Sequence, residues 1–119
     1  MTTNKFNYGE DRMSYQIAIG IAEGKLEGNI SDNQKLKILS SRKKVEDALN
    51  SNEVIYGVNT GFGALCNTVI SQNDANTLQE NLLKSHAVGV GPNIPKLVSK
   101  LMMILKVHSL SMGYSGVSI

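Results

Sequence analysis

The sequence predicts a mainly α protein, helices joined by glycine-rich loops, with at most a short strand near Val54. Three observations carry this. Ser14, Ser31 and Ser71 each stand where a hydroxyl can cap a helix, before residues that suit one. Pro95 opens a fourth, strongly apolar stretch and suits the first turn of a helix. Glycines and turn-forming clusters separate these stretches.

Taken in order, residues 1–13 are polar and without period, and Gly9 and Asp11 suggest a turn. After Ser14, Ile17, Ala18 and Ile21 share one helical face. Gly20 weakens that helix, and Gly24 or Gly28 ends it. Ser31-Asp32-Asn33-Gln34 reads as a capping box, with Ser at N-cap and Gln at N3. The helix that follows runs to about Leu49, with Ile38, Val45 and Leu49 as its apolar stripe and Lys35, Arg42 and Lys43 elsewhere. Asn50-Ser51-Asn52 stops it.

Val54-Ile55-Tyr56 then has the composition of a strand. It breaks into a loop where Gly57, Gly61 and Gly63 interleave with Asn59, Thr60 and Phe62. Cys66 to Ile70 is short, and Cys66 reads as a small buried residue. Ser71 caps a helix expected to reach about Ala87, and Gly89-Val90-Gly91-Pro92 breaks the chain. In the last helix Leu97, Val98, Leu101, Met102, Ile104, Leu105 and Leu110 cover most of the circumference. Such a helix belongs inside a bundle, and its apolar surface calls for further chain or partner subunits. His108, four after Ile104, reads as a packing residue, and Gly113 ends the helix.

Composition narrows the function classes. With 41% hydrophobic and 18% charged residues, the chain is ordinary globular material. A net charge of +2 gives no footprint for nucleic acid, and Arg42-Lys43-Lys44 reads as a solvated helix face. One cysteine allows no internal disulfide. The polar N-terminus lacks the apolar core of a signal peptide, and no apolar run approaches the roughly 20 residues of a membrane span. The expectation is a cytoplasmic protein without nucleic-acid or membrane partners. His86 and His108 are far apart in sequence and no carboxylate pair or cysteine cluster joins them, so no metal site is expected. Gly89-Val90-Gly91 is no phosphate loop, since neither Gly-Lys-Ser/Thr nor a third glycine follows.

Two residues stand out for chemistry. Tyr56 sits at the mouth of the glycine loop. Either it and Phe62 plug a core beside a tight turn, or its hydroxyl faces a bound molecule. His86 is spaced four from Leu82 and eight from Leu78, so the three share one face at the helix's C-terminal end. The helix end favours a protonated ring and burial a neutral one. A core histidine bonded to backbone is the alternative to a functional one. A loop tyrosine with a helix-end histidine is consistent with proton transfer.

The stretch Tyr56-Gly57-Val58-Asn59-Thr60-Gly61-Phe62-Gly63 resembles the tyrosine loop of the histidine ammonia-lyase family, the aromatic amino-acid ammonia-lyases. Leu78-Gln79, Leu82 and Ser85-His86-Ala87 with Gly89 and Gly91 resemble its next block. Gly113-Tyr114-Ser115-Gly116-Val117 resembles the segment after that. The resemblance is close over 54–117 and loose before it. It implies that residues 1–119 are the N-terminal portion of a longer helical-bundle enzyme, a homotetramer whose sites draw on several subunits. It implies non-hydrolytic removal of ammonia from an L-amino acid, with L-histidine giving trans-urocanate in histidine breakdown.

By the same resemblance Tyr56 is the catalytic base, a task that asks a phenol's pKa to fall from about 10 toward the working pH. His86 contacts the substrate side chain, and Asn59 and Gly63 join it in substrate binding. Gly57, Gly61 and Phe62 shape the loop. The cofactor implied is 4-methylideneimidazol-5-one, built from an internal Ala-Ser-Gly. No Ala-Ser-Gly occurs in these residues, so this portion alone is expected to be inactive. A tyrosine ammonia-lyase or aromatic aminomutase is the alternative, since His86 would equally bind a phenol. An alternative of another class is a non-catalytic helical interaction module binding through the face around Met102 and Met103.

Overall fold

A computed structural model describes residues 5–51, 54–61, 63 and 70–119. The described residues form four helices and one two-stranded sheet. In order these are β1 (Lys5–Asn7), α1 (Tyr15–Ala22), β2 (Glu27–Asn29), α2 (Asp32–Asn50), α3 (Gln72–His86) and α4 (Lys96–Leu110). They fall into two compact units, one of Met1–Lys44 with Asn93–Ile119 and the other Val45–Pro92. The mainly α expectation holds.

The strand expectation does not. Val54 and Ile55 belong to no strand, while β1 and β2 pair in parallel, Phe6 opposite Gly28 and Asn7 opposite Asn29. Three residues are too few to show a period of two, and Gly and Asn in β2 are depleted in strands. Tertiary packing forms this pair instead. The Tyr8 ring occupies the space over Gly28 where a Cβ would stand, and Tyr8 N donates to the Asn29 carbonyl at 2.7 Å. Asn29 Nδ2 also donates to Asn7 Oδ1 at 3.0 Å.

The capping residues act as their chemistry requires. Ser14 Oγ accepts from Ile17 N at 3.3 Å and opens α1, and Gly24 at φ +76° follows its end. Ser31 Oγ accepts from Gln34 N at 3.1 Å and opens α2. Asp32 in that first turn is held below its ordinary pKa by a hydrogen bond from Lys35 and by its charge. The second half of the capping box is absent. Gln34 is 1% exposed, its Oε1 has no hydrogen-bond partner among the described residues, and its Nε2 donates to the Ser111 carbonyl past the end of α4. The carbonyls at a helix end need donors, and Gln34 supplies one across the unit instead of locally. Pro95 lies one residue outside α4, at the N-cap.

The core of the first unit is Phe6, Tyr8, Ala18, Ala22 and Ile104, where α1 packs on α4. His108 packs beside the rings of Phe6 and Tyr8, and its Nδ1 accepts from Gly9 N at 3.2 Å. Burial raises the Tyr8 phenol above its ordinary pKa. Lys100 Nζ donates to the Ala22 carbonyl at 2.8 Å, a cation at the negative end of α1. Much of the remaining apolar surface of α4 is open: Leu97, Val98, Met102, Met103 and Leu105 are exposed.

Gly9 has φ +79°, and a Cβ there would run into the Ser111 carbonyl and Gln34 Nε2. Gly9→Ala is therefore expected to cost about 3 kcal/mol, combining left-handed strain with overpacking against backbone. At Gly24, also left-handed, a Cβ meets nothing within 4 Å, and Gly24→Ala is expected to cost only about 1–2 kcal/mol. Thermal melts of the two variants check the difference, and equal losses would contradict it.

Candidate functional site

The second unit carries the tyrosine loop and α3. The chain turns at Ile55, whose carbonyl accepts from Val58 N at 3.1 Å and Asn59 N at 3.2 Å. Asn59 returns the bond: its Oδ1 accepts from Ile55 N at 2.8 Å. Thr60 Oγ1 accepts from Gly57 N at 3.1 Å and donates to the Gly61 carbonyl at 3.0 Å. Asn59 is 5% and Thr60 0% exposed, so two buried polar side chains hold the backbone of this loop. Asn and Thr suit the work because short side chains reach nearby backbone groups.

Glycine is required at Gly57 and Gly63, whose φ values are +74° and +58°. Gly61 is buried. Phe62, expected to shape the loop, and Cys66 lie outside the described residues. Tyr56 does not plug a core. It is 64% exposed on the outside of this hydrogen-bonded turn.

α3 begins as its sequence predicts. Ser71 Oγ accepts from Asp74 N at 3.3 Å and donates to Asp74 Oδ2 at 2.6 Å. It ends at His86, whose ring is exposed, not packed as the shared face with Leu78 and Leu82 suggested. The expected backbone bond is present: His86 Nδ1 lies 2.9 Å from the Leu82 carbonyl and 3.0 Å from Ser85 Oγ. A carbonyl oxygen only accepts, so Nδ1 carries the proton and donates to it. In the neutral ring Nε2 is then left as an acceptor.

One side chain ties the loop to this helix. Gln79 Nε2 donates to the Gly57 carbonyl at 3.2 Å. Gln79 precedes His86 by seven positions, so both lie on one side of α3, about 10 Å apart along its axis. Thr60 and Gln79 were not singled out by sequence reasoning. The signals available were a polar residue inside a glycine-rich turn and an amide two helical turns before the histidine. Among the described residues no group of three or more His, Cys, Asp or Glu could hold a metal, and no helix is long and apolar enough to cross a membrane.

Comparison with known proteins decides the family. The family model for aromatic amino acid lyases matches residues 13–119. The chain belongs to the aromatic amino acid lyase family. It is 44% identical over 90 residues to a histidine ammonia-lyase of Clostridium tetani, covering 76% of this chain and 18% of that protein. It is 36% identical over 115 residues to the histidine ammonia-lyase of Streptococcus gordonii, covering 97% of this chain and 22% of that protein. The crystal structure of a tyrosine aminomutase from Streptomyces globisporus superposes with a TM-score of 0.85 at 25% identity, over 98% of this chain and 22% of that one. The chain thus spans about a fifth of the length of the relatives it matches.

The paired bonds between Ile55 and Asn59 make Asn59 a structural requirement of this turn. Asn59→Ala removes the acceptor for the Ile55 amide and is expected to cost about 1–3 kcal/mol locally. Asn59→Asp keeps an acceptor oxygen and is expected to cost less. Hydrogen exchange at the Ile55 amide checks this, with faster exchange in the alanine variant than in the aspartate variant.

Proposed function

We propose that this chain forms the tyrosine-loop portion of a histidine ammonia-lyase, which removes ammonia from L-histidine to give trans-urocanate. The observation that carries the reading is the pair formed by an exposed Tyr56 on a pinned turn and an exposed His86 on the helix tied to that turn. Tyr56 is the base that takes the β-proton of the substrate. His86 recognises the side chain. With Nδ1 donating to the Leu82 carbonyl, Nε2 of the neutral ring accepts, and the substrate group it pairs with is an N–H or O–H donor. The imidazole N–H of histidine supplies one. Asn59 and Gly63 belong to the substrate side of the loop, Asn59 with its Oδ1 already engaged by the Ile55 amide.

The electrophile that the family resemblance implies, 4-methylideneimidazol-5-one, forms from Ala-Ser-Gly, and these 119 residues contain no such tripeptide. They do not fit that group by themselves. Their contribution is proton transfer, recognition and shaping of the loop, and the electrophile would be supplied by other residues. The exposed apolar residues of α4 suit packing against further helices, as a homotetramer requires. A cytoplasmic location fits this reading. A second reading, a tyrosine-specific lyase or aminomutase, is favoured by the likeness to the tyrosine aminomutase and by Nε2 of His86, which accepts from a phenol as readily as from an imidazole.

Ammonia release from L-histidine by the full-length protein tests the proposal. Tyr56→Phe is expected to lower kcat by roughly 10²–10⁴, the range of a lost acid–base group. His86→Leu is expected to lower kcat/KM for L-histidine by about 100-fold or more, since a polar substrate group then meets no partner. A Tyr56→Phe variant with wild-type kcat would remove Tyr56 from the mechanism.

A further inference from the structure

Gly57 stands between two peptide planes, and each is held by a different side chain. The plane before it carries the Gly57 N–H, which donates to Thr60 Oγ1 at 3.1 Å. The plane after it carries the Gly57 carbonyl, which accepts from Gln79 Nε2 at 3.2 Å. Thr60 is fully buried and donates its own proton to the Gly61 carbonyl, so its oxygen is fixed as the acceptor. Between these planes lies a residue at φ +74° with no side chain to limit its rotation. Tyr56 is the next residue back. It is 64% exposed, and the backbone held at Gly57 sets where its side chain leaves the loop.

The two holds differ in what they connect. Thr60 pins the loop to itself. Gln79 pins it to α3, the helix that ends in His86. We propose that Gln79 is a positioning residue for Tyr56: through the Gly57 carbonyl it registers the tyrosine loop against α3, and so sets the span between the base and the side chain that recognises the substrate. This rests on the roles given above to Tyr56 and His86. Gln79 acts on backbone and takes no proton from the substrate. The bond needs a donor of this length on α3. Methionine has the length without the donor, and glutamate has a donor only when protonated.

The test uses the full-length protein with L-histidine as probe, comparing Gln79→Met, Gln79→Glu and Tyr56→Phe. In Gln79→Met, kcat is expected to fall roughly tenfold with KM within about twofold, because a small misplacement of a reacting group acts on the chemical step. Gln79→Glu is expected to be at least as slow at neutral pH. Relative to wild type it should recover as pH falls toward the carboxyl's pKa of about 4.3, where the donor returns. Loss of packing alone would not produce that recovery. Wild-type kcat in both Gln79 variants, with Tyr56→Phe inactive, would overturn the positioning role and leave the lyase reading standing. Full activity in Tyr56→Phe would overturn both. Independently of turnover, exchange of the Val58 amide, in the same peptide plane as the Gly57 carbonyl, is expected to speed about tenfold in Gln79→Met, a loss of roughly one neutral hydrogen bond. An unchanged rate would mean that the bond holds nothing.

Discussion

Backbone that leaves a helix or strand and turns inward must still find partners for its N–H and C=O groups, because each one left bare costs about 1–3 kcal/mol. In this protein single polar side chains meet that demand at one irregular segment after another. His108 takes the Gly9 amide, and Gln34 reaches the Ser111 carbonyl. Ser41 Oγ accepts from Gly116 N at 3.0 Å. Asn59 and Thr60 hold the tyrosine loop. Most of these bonds join residues far apart in sequence, so they fix elements as well as turns. The apolar core of the first unit is small, and such bonds determine which strand and loop conformations it supports.

The same constraint produces the candidate site. A tyrosine held away from a core would ordinarily sample many directions. Here the turn beneath it is closed by buried Asn59 and Thr60, and its ring projects from a fixed base. His86 is handled likewise, since the Leu82 carbonyl and Ser85 orient its ring and decide which nitrogen faces outward. Both groups are exposed yet directed. That combination is what the proposed roles of Tyr56 and His86 require.

Helices were legible in the sequence because their signals are local. Ser14, Ser31 and Ser71 mark starts through a hydroxyl and an amide a few residues apart, and Gly24 marks an end through its φ. The parallel pair β1–β2 was not legible. Each strand has three residues, and what selects them is the Tyr8 ring over Gly28, a contact between positions 20 apart. Gln34 fits a capping box by spacing, but its partner lies 77 residues on. For the site, the resemblance pointed to Tyr56 and His86, while the residues that hold them were hidden for the same reason. Nothing near Gln79 in sequence says that its amide reaches Gly57, and the exposure of His86 could not be read from a face it shares with Leu78 and Leu82.

In the proposed reading recognition depends on one acceptor, the Nε2 that His86 leaves free to accept when Nδ1 donates to the Leu82 carbonyl, offered to a donor on the substrate. The most direct measurement is kcat/KM for ammonia release from L-histidine, L-tyrosine and L-phenylalanine, made side by side on the full-length protein. A site built to bond a donor rejects an analogue lacking one by several orders of magnitude. L-histidine is therefore expected to exceed L-phenylalanine by at least about 10³, with L-tyrosine between them or rivalling histidine. Turnover of L-phenylalanine equal to that of L-histidine would contradict the account.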